Sequence, residues 1–177
     1  MCSSDLDRAR AAGWPVAATY GLTQACSQVA VDGRALTGLA ISLAPDGEIL
    51  VEGPTVAGGG VLRTGDLGRF DVTGRLHVIG RKSDTIVTGG ENVAPTEVEA
   101  ALLAHPAVAD AGVFGRPDPE WGEAVTASVV LRAPADPQEL REWVAGRLAR
   151  FKVPKAVEVA DALPRTASGK LLRRELR

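Results

Sequence analysis

The sequence predicts an α+β protein in two parts: a strand-rich first part and a self-sufficient second part. Up to residue 82, short apolar runs alternate with glycine and proline turns, and there is hardly a helix. Residues 83–177 alternate helical and strand patterns, which is typical of a small α+β domain. We therefore expect a boundary near Ser83, with an incomplete domain at 1–82 before it and a complete one at 83–177 after it.

The elements of the first part are short. "LDRARAAGWP" predicts the last turns of a helix that is broken at Gly13. "VAATYG" predicts a strand that runs into a glycine turn, and "GLAISLAP" and "EILVEGP" predict paired strands joined at Pro45-Asp46-Gly47. "VAGGGV" is a loop, and "RLHVIG" and "DTIVTGG" are two further strands on either side of the polar "RKSD". These strands have no helix to cover them, which is unusual for a free-standing domain.

The second part has clearer helix signals. "APTEVEAALLAHP" predicts a helix, with Pro95 in its first turn and Thr96 with Glu99 resembling a capping box. "DPQELREWVAGRLARF" predicts the best helix of the chain, capped by Asp136. Its apolar face follows the i, i+3, i+4, i+7 pattern of a packed helix. "AVADAGVFG", "AVTASVVLR" and "AVEVAD" predict strands, and a short basic helix is expected after Lys170.

Composition excludes several classes of protein. Apolar residues make up 45% of the chain and the formal net charge is −2, so a strongly basic nucleic-acid binder is excluded. No apolar run reaches the roughly 20 residues that a membrane span needs. The start "MCSSDLDRARAAGW" has no apolar core of a signal peptide. Two cysteines, Cys2 and Cys26, suit a reducing cytoplasm and are too few for a zinc site of their own.

Four stretches could carry chemistry, and the first two lie before residue 83. "YGLTQ", from Tyr20 to Gln24, places a hydroxyl after a strand end, although an ordinary strand-to-loop turn has the same pattern. "RTGDLGRFD" holds Asp66 between glycine-containing turns. A carboxylate there could bind both hydroxyls of a ribose, or it could cap a turn.

The other two stretches lie in the second part. In "GRKSDTIVTGGENVAPTEVE", Gly89 and Gly90 let the backbone approach a ligand closely, although glycines also occur at such junctions without a ligand. The stretch has neither the phosphate loop of nucleotide hydrolases nor the dinucleotide fingerprint. "LPRTASGKLLRREL" presents Lys170 on a loop formed by Ser168 and Gly169. That segment is either a solvated tail or a loop that presents one lysine to a ligand.

In this order and spacing, the four stretches resemble the adenylate-forming superfamily of acyl-CoA synthetases, luciferases and peptide-synthetase adenylation domains. "YGLTQ" resembles the Tyr-Gly-x-Thr-Glu motif of this superfamily, and "RTGDLGRFD" resembles its ribose-binding segment. "GRKSDTIVTGGENVAPTEVE" resembles the hinge and the start of the C-terminal domain, and "LPRTASGKLLRREL" resembles the motif of the catalytic lysine. The resemblance runs from about residue 15 to the end.

The resemblance implies roles for individual residues. Lys170 is the catalytic cation of adenylation, and Ser83 is the hinge. The residues implied in nucleotide binding are Tyr20, Gly21, Thr23, Asp66, Arg81 and Lys170. The residues implied in coenzyme A binding are Thr88, Gly89, Gly90, Glu91, Trp121, Phe151 and Lys152. Trp121 alone would also fit a partly buried core position.

One residue departs from the pattern of the superfamily. Gln24 stands where the superfamily usually has a glutamate that binds Mg²⁺. An amide oxygen binds a hard cation more weakly than a carboxylate does. The resemblance therefore implies ATP, Mg²⁺ and coenzyme A, with a weakened metal ligand at position 24.

The resemblance also implies a reaction. A carboxylic acid and ATP form an acyl-adenylate, and coenzyme A then displaces AMP to give an acyl-CoA thioester. The run "YGLTQACSQVA", with the later motifs, most resembles ligases that act on 2-succinylbenzoate in menaquinone synthesis. Other aryl- or fatty-acyl-CoA ligases remain the alternative.

In the superfamily, a large N-terminal domain carries the phosphate loop and most of the acyl pocket, and neither has a counterpart in these 177 residues. Residues 1–82 resemble the last portion of that domain, so we expect a fragment that does not catalyse alone. The rest of the domain would be supplied in the same longer chain or as a separate chain, and a homo-oligomer stays open. A non-catalytic module that binds coenzyme A is the alternative from another class.

Overall fold

A computed structural model describes residues 3–167 and 169–176. Cys2 and Ser168 lie outside the described residues. The chain divides into two compact units, Met1–Lys82 and Ser83–Arg177. Each unit has its own hydrophobic core, and strands outnumber helices in both. This is the mixed α+β architecture that the sequence predicts.

Within the described residues, the first unit contains one α-helix and two antiparallel sheets. Its helix is α1 (Ser3–Ala11). The three-stranded sheet has the order β1 (Thr19–Leu22), β2 (Ser27–Val31), β3 (Arg34–Ala35). The four-stranded sheet has the order β4 (Ala40–Leu43), β5 (Glu48–Glu52), β6 (Val61–Phe70), β7 (Leu76–Arg81). The predicted pairing of "GLAISLAP" with "EILVEGP" is confirmed as β4 and β5.

In the part of the second unit that the structure describes, two α-helices pack on a mixed sheet. Its helices are α2 (Pro95–Leu103) and α3 (Pro137–Ala145). Its strands are β8 (Ile86–Thr88), β9 (Glu91–Val93), β10 (Val108–Asp118), β11 (Gly122–Leu131) and β12 (Ala156–Val159). The long hairpin of β10 and β11 forms its centre, β8 joins β11 at Gly122, and β12 pairs parallel to β11.

The core of the second unit forms where α2 and α3 cover the sheet. Leu102 of α2 and Leu140 and Val144 of α3 are fully buried, as the helical spacing of apolar residues requires. Trp143 Nε1 donates a hydrogen bond of 2.9 Å to the carbonyl oxygen of Ala101. This bond fixes α3 on α2.

Several local predictions were wrong. Asp66 does not lie between turns but within β6, and Gly68 in the same strand serves packing because a Cβ there would approach Ile49 to 2.8 Å. Thr96 does not cap α2, which begins at Pro95 after Ala94. The Glu99 carboxylate instead accepts a hydrogen bond of 2.9 Å from the backbone N–H of Val113.

Other predictions differ in the extent of an element. α3 ends at Ala145 rather than at residue 151, and a separate 3₁₀ turn follows at Arg150–Lys152. Asp136 caps α3 as predicted, accepting from the N–H of Gln138 at 2.7 Å. The expected helix after Lys170 is a 3₁₀ turn confined to Arg173–Leu176. In the part of the chain that the structure describes, no helix is long and apolar enough to cross a bilayer.

Candidate functional site

A buried carboxylate, Asp66, is the centre of a polar cluster in the first unit. Its side chain is only 10% exposed and accepts from the Tyr20 hydroxyl at 2.8 Å and from Arg81 Nε at 2.8 Å. The contact with Arg81 follows from the register of the sheet, because Asp66 on β6 lies opposite Arg81 on β7. One donor from each sheet thus fixes each oxygen of the carboxylate, and each oxygen keeps acceptor capacity for another donor.

The backbone beneath Asp66 is also fixed. Thr64 Oγ1 accepts from the N–H of Asp66 at 3.1 Å and donates to the carbonyl oxygen of Ile49 at 2.8 Å. Arg81 Nη1 donates to the carbonyl oxygen of Thr64 at 3.2 Å. Sequence reasoning missed Thr64, although it lies in the quoted "RTGD".

The environment of Tyr20 changes its acidity. Burial raises the pKa of Tyr20 to about 12, and the hydrogen bond to Asp66 and the charge of Asp66 add to that shift. Thr64 and Arg81 act in the opposite direction. Tyr20 therefore stays a neutral donor to Asp66 at every physiological pH.

The "YGLTQ" segment passes through a tight turn next to this cluster. Gly21 lies so close to β2 that a Cβ there would stand 2.1 Å from the carbonyl oxygen of Ser27. Thr23 and Gln24 are exposed in a 3₁₀ turn. Cys26 and Ser27, which follow, have φ angles of 55° and 120°, a region that residues other than glycine rarely occupy. Thr23 and Gln24 are thus presented to solvent from a constrained backbone.

Charged residues flank the predicted hinge on both sides. Lys82 Nζ contacts Asp46 at 2.5 Å and the buried Glu48 at 3.2 Å, all within the first unit. The hydrogen bond from Lys82 lowers the pKa of the Asp46 carboxyl, and the same bond raises the pKa of Lys82. Asp84 belongs to the second unit and accepts from Arg173 Nη1 at 3.2 Å. Ser83 lies between these two anchored neighbours.

The glycine pair of the second unit forms the turn between β8 and β9. Gly89 and Gly90 have φ angles of 58° and 84°, which favour glycine. The Gly89 N–H donates to the carbonyl oxygen of Trp121 at 2.9 Å, and a Cβ at Gly89 would stand 2.9 Å from the Trp121 indole. Thr88 is buried beside them, whereas Glu91 is exposed.

Trp121 is more open than a core residue, since 37% of it is exposed. Lys155 Nζ lies 4.3 Å from the centroid of its ring, a cation–π contact. Sequence reasoning missed Lys155, although it closes the basic run "FKVPK". Gly89, Trp121 and Lys155 thus form one exposed surface that combines bare backbone, an aromatic face and a cation.

Phe151 and Lys152 occupy the 3₁₀ turn that precedes β12. Lys152 Nζ contacts both carboxylate oxygens of Glu97 on α2, at 2.7 and 2.8 Å. Its side chain is 22% exposed. To pair with a ligand phosphate, Lys152 would have to share its donors with Glu97 or leave it.

Lys170 is exposed at the end of a short hairpin. Its N–H donates to Thr166 Oγ1 at 3.0 Å, and its carbonyl oxygen accepts from the Thr166 N–H at 2.8 Å. Gly169 adopts a φ of 81° next to it. The ammonium group is thus carried by a constrained backbone and not by a frayed end.

Comparisons with known proteins show what the chain as a whole is similar to. Residues 97–170 match the AMP-binding enzyme C-terminal domain family. The 2-succinylbenzoate–CoA ligase of Bacillus licheniformis is 42% identical over 92% of this chain and 41% of its own length.

Solved structures give the same result. The o-succinylbenzoate CoA synthetase of Bacillus subtilis, in complex with its acyl-adenylate intermediate, superposes with a TM-score of 0.88 at 40% identity, covering 97% of this chain and 43% of that one. The same enzyme with ATP and a magnesium ion gives a TM-score of 0.87 at 38% identity, covering 99% and 44%.

The chain is a member of the adenylate-forming superfamily, whose enzymes carry an AMP-binding C-terminal domain. Within that superfamily, it is similar to the 2-succinylbenzoate–CoA ligases. It spans about two fifths of the length of the curated relatives that it matches.

Proposed function

We propose that this chain supplies the nucleotide-orienting carboxylate and the catalytic lysine of an AMP-forming acid–CoA ligase, with 2-succinylbenzoate as the acid. The observation that carries the proposal is the buried Asp66, held by Tyr20 and Arg81. Such a fixed carboxylate suits the two hydroxyls of a ribose, because each oxygen keeps acceptor capacity beyond the donors already in place. The identity of the acid follows the relatives named above.

In the first step, an oxygen of the substrate carboxylate attacks the α-phosphorus of ATP, and pyrophosphate leaves. Negative charge gathers on the phosphoryl oxygens during this step, so placed cations and donors lower the barrier. Lys170 supplies the cation and Thr23 a hydroxyl donor. Mg²⁺, when bound with ATP, would neutralise phosphate charge, with the amide oxygen of Gln24 as a weak ligand.

In the second step, the sulfur of coenzyme A attacks the acyl carbon and AMP leaves. We assign the binding of the pantetheine arm to Thr88, Gly89, Gly90 and Glu91 with Trp121, because the two glycines present bare backbone at an exposed aromatic face. Phe151 would stack on the adenine of coenzyme A. Lys152 would pair with its phosphates if it releases Glu97.

The two steps use different residues of the second unit, so a rotation at Ser83 is part of the proposal. Lys82 is anchored in the first unit and Asp84 in the second. Ser83 is therefore the residue left to absorb a change in backbone dihedrals. Hinges of this kind typically consist of a few residues at the ends of elements.

The test uses a chimera in which this chain replaces the matching segment of the Bacillus subtilis enzyme. Lys170→Ala should lower the rate of adenylate formation by about 10²- to 10³-fold, the usual effect of losing a transition-state charge contact. Thioester formation from preformed acyl-adenylate should change by less than about 3-fold. Arg174→Ala, which removes an exposed charge four residues away, should leave both half-reactions intact.

Two outcomes would count against the proposal. A chimera without adenylation activity on 2-succinylbenzoate would reject the assigned reaction. If Lys170→Ala slows both half-reactions equally, the assignment of Lys170 to adenylation alone would be rejected.

A further inference from the structure

The hairpin that carries Lys170 is built from backbone bonds around one threonine. Arg165 and Leu171 form an antiparallel bridge at its base, and the Leu172 N–H donates to the carbonyl oxygen of Pro164 at 2.9 Å. Thr166 pairs with Lys170 at the tip. A hairpin this short has few internal bonds, so its direction must come from contacts with the rest of the unit.

Arg165 supplies such a contact on the first arm. Its Nη1 donates to the carbonyl oxygen of Gly169 at 2.7 Å, directly before Lys170. Its Nε and Nη2 donate to the Asp110 carboxylate at 2.6–3.1 Å. Asp110 lies on β10 and also accepts from the N–H of Ala111 at 2.9 Å. One planar guanidinium thus joins the residue before Lys170 to the central sheet.

A second arginine holds the other arm. Arg173 Nη2 contacts both oxygens of Glu99 at 2.7 and 2.9 Å. Glu99 is 12% exposed, and burial raises its pKa although Arg173 acts against that shift. Leu171 and Leu176 lie over Gly112, where a Cβ would stand 2.7 Å from Leu176. The ion pair that holds the second arm is therefore largely buried, whereas the Arg165–Asp110 pair that holds the first arm is accessible to solvent.

We propose that Arg165 is a positioning residue for Lys170, acting through Asp110 and the Gly169 carbonyl group. The inference rests on the proposed function, since it assigns Arg165 to the adenylation step. A cation lowers a barrier most when it is already in place before charge develops. A freely moving Lys170 loop would have to be ordered in every turnover, and the Arg165 bridge removes that requirement.

The geometry assigns this role to arginine and not to a general positive charge. Three of the nitrogens of Arg165 point in fixed directions toward two acceptors on different segments. A lysine ammonium is a point charge on a flexible stem and cannot span both acceptors in the same way. Arg165→Lys therefore keeps the charge of the loop and removes the bridge.

The first measurement uses the 177-residue chain itself. The heteronuclear ¹⁵N–¹H Overhauser effect of the Lys170 amide reports its fast motion. Arg165→Lys and Asp110→Asn should both lower this value toward that of a mobile loop. Arg116→Lys is the matched control, because Arg116 forms an exposed pair with Glu158 on the same sheet, away from the hairpin. An unchanged Lys170 value in Arg165→Lys overturns the inference.

The second measurement uses the chimera. Arg165→Lys should lower the turnover of adenylation by about 10-fold at saturating ATP, with the KM for ATP and the thioester half-reaction changed by less than about 2-fold. The Arg165→Lys/Asp110→Asn double variant should be no slower than the slower single variant, because both residues act through one bridge.

The outcomes separate this inference from the proposed function. A loosened hairpin with unchanged adenylation overturns the positioning role and leaves the proposed function intact. A raised KM for ATP without a change in turnover assigns Arg165 to nucleotide binding and also overturns it. If the unsubstituted chimera makes no adenylate, the proposed function fails, and with it the assignment of Arg165 to adenylation.

Discussion

At the scale of single residues, the Asp66 cluster shows how the first unit holds a buried carboxylate. A carboxylate this buried is costly unless donors satisfy it. Tyr20 and Arg81 satisfy it from two different strands. Because both contacts lie within the first unit, the cluster is preorganised before any ligand arrives.

The acidity of Tyr20 tests this cluster directly. The chain contains one tyrosine, so the phenolate absorbance on alkaline titration reports Tyr20 alone. We expect a midpoint near a pH of about 12 in the folded chain. In Asp66→Asn the midpoint should fall but stay above the ordinary value near 10, because burial is the largest cause of the shift.

The shift of the Tyr20 pKa also makes the stability of the fold depend on pH. A tyrosine whose folded pKa is raised adds stability that is fully present below about pH 10 and is lost as the pH rises through about 12. Circular dichroism must therefore confirm that the chain is folded throughout the titration. A midpoint near 10 in the folded chain would contradict the burial of Tyr20, which is the largest cause of the shift.

A second residue-scale prediction concerns Gln24. In the chimera, Gln24→Glu should lower the Mg²⁺ concentration needed for half-maximal adenylation, because a charged oxygen binds a hard cation better than an amide oxygen does. The rate of adenylation against Mg²⁺ concentration is the measurement. Gln28→Glu, the same change at an exposed residue of the same unit, is the control and should not lower the requirement. An unchanged requirement in Gln24→Glu would mean that other groups hold the ion.

At the scale of elements, the pairing of β1 with β2 depends on one glycine. Gly21↔Gln28 pair after a register shift, and the Ser27 carbonyl oxygen lies where a Cβ of residue 21 would be. Gly21→Ala should therefore destabilise the first unit by about 1–3 kcal/mol, the usual cost of forcing extra volume into a packed site.

Urea unfolding followed by amide signals of each unit measures this effect. Gly146→Ala is the control, since residue 146 has a helical φ of −73° and the nearest atom to a Cβ there would be the Glu142 carbonyl oxygen, 3.7 Å away. That variant should match or slightly exceed the parent chain in stability. Equal stability of Gly21→Ala and the parent chain would show that β2 can move aside without cost.

The sequence predicts a feature well when the residues that form it lie close together in the chain. The start of α3 was predictable because Asp136 and Pro137 act within one turn. The true role of Glu99 was not, because its partners Val113 and Arg173 are 14 and 74 residues away. The glycines on either side of Asp66 predict turns, but in the structure they serve packing and a bulge within β6.

The same distinction applies to the candidate site. Motif resemblance indicated Lys170, Asp66 and the glycine pair by residue type and spacing. It did not indicate Arg165, Thr64 or Lys155, whose roles depend on what faces them across the sheet or the hairpin. Residues that act through another residue leave little trace in a single sequence.

At the scale of the whole molecule, the chain divides into two compact units between Lys82 and Ser83. Each unit has a hydrophobic core of its own, so a substitution in the second unit can be compared with a matched substitution in the first. The turn at Gly90 is the most useful place to exploit this. Its φ is 84° and a Cβ there would meet no atom within 4 Å, so a side chain would project outward from the turn.

In the chimera, Gly90→Val should lower the rate of thioester formation from preformed acyl-adenylate by about 10²-fold, because the side chain would fill the path assigned to the pantetheine arm. Adenylate formation should stay within about 2-fold of the parent. Gly58→Val is the matched control, since Gly58 has a φ of 80° and the same open surroundings in the first unit. It imposes the same backbone strain and should spare both steps. An equal loss of both steps in Gly90→Val would show that the turn at Gly89-Gly90 serves the fold of the second unit rather than the approach of coenzyme A.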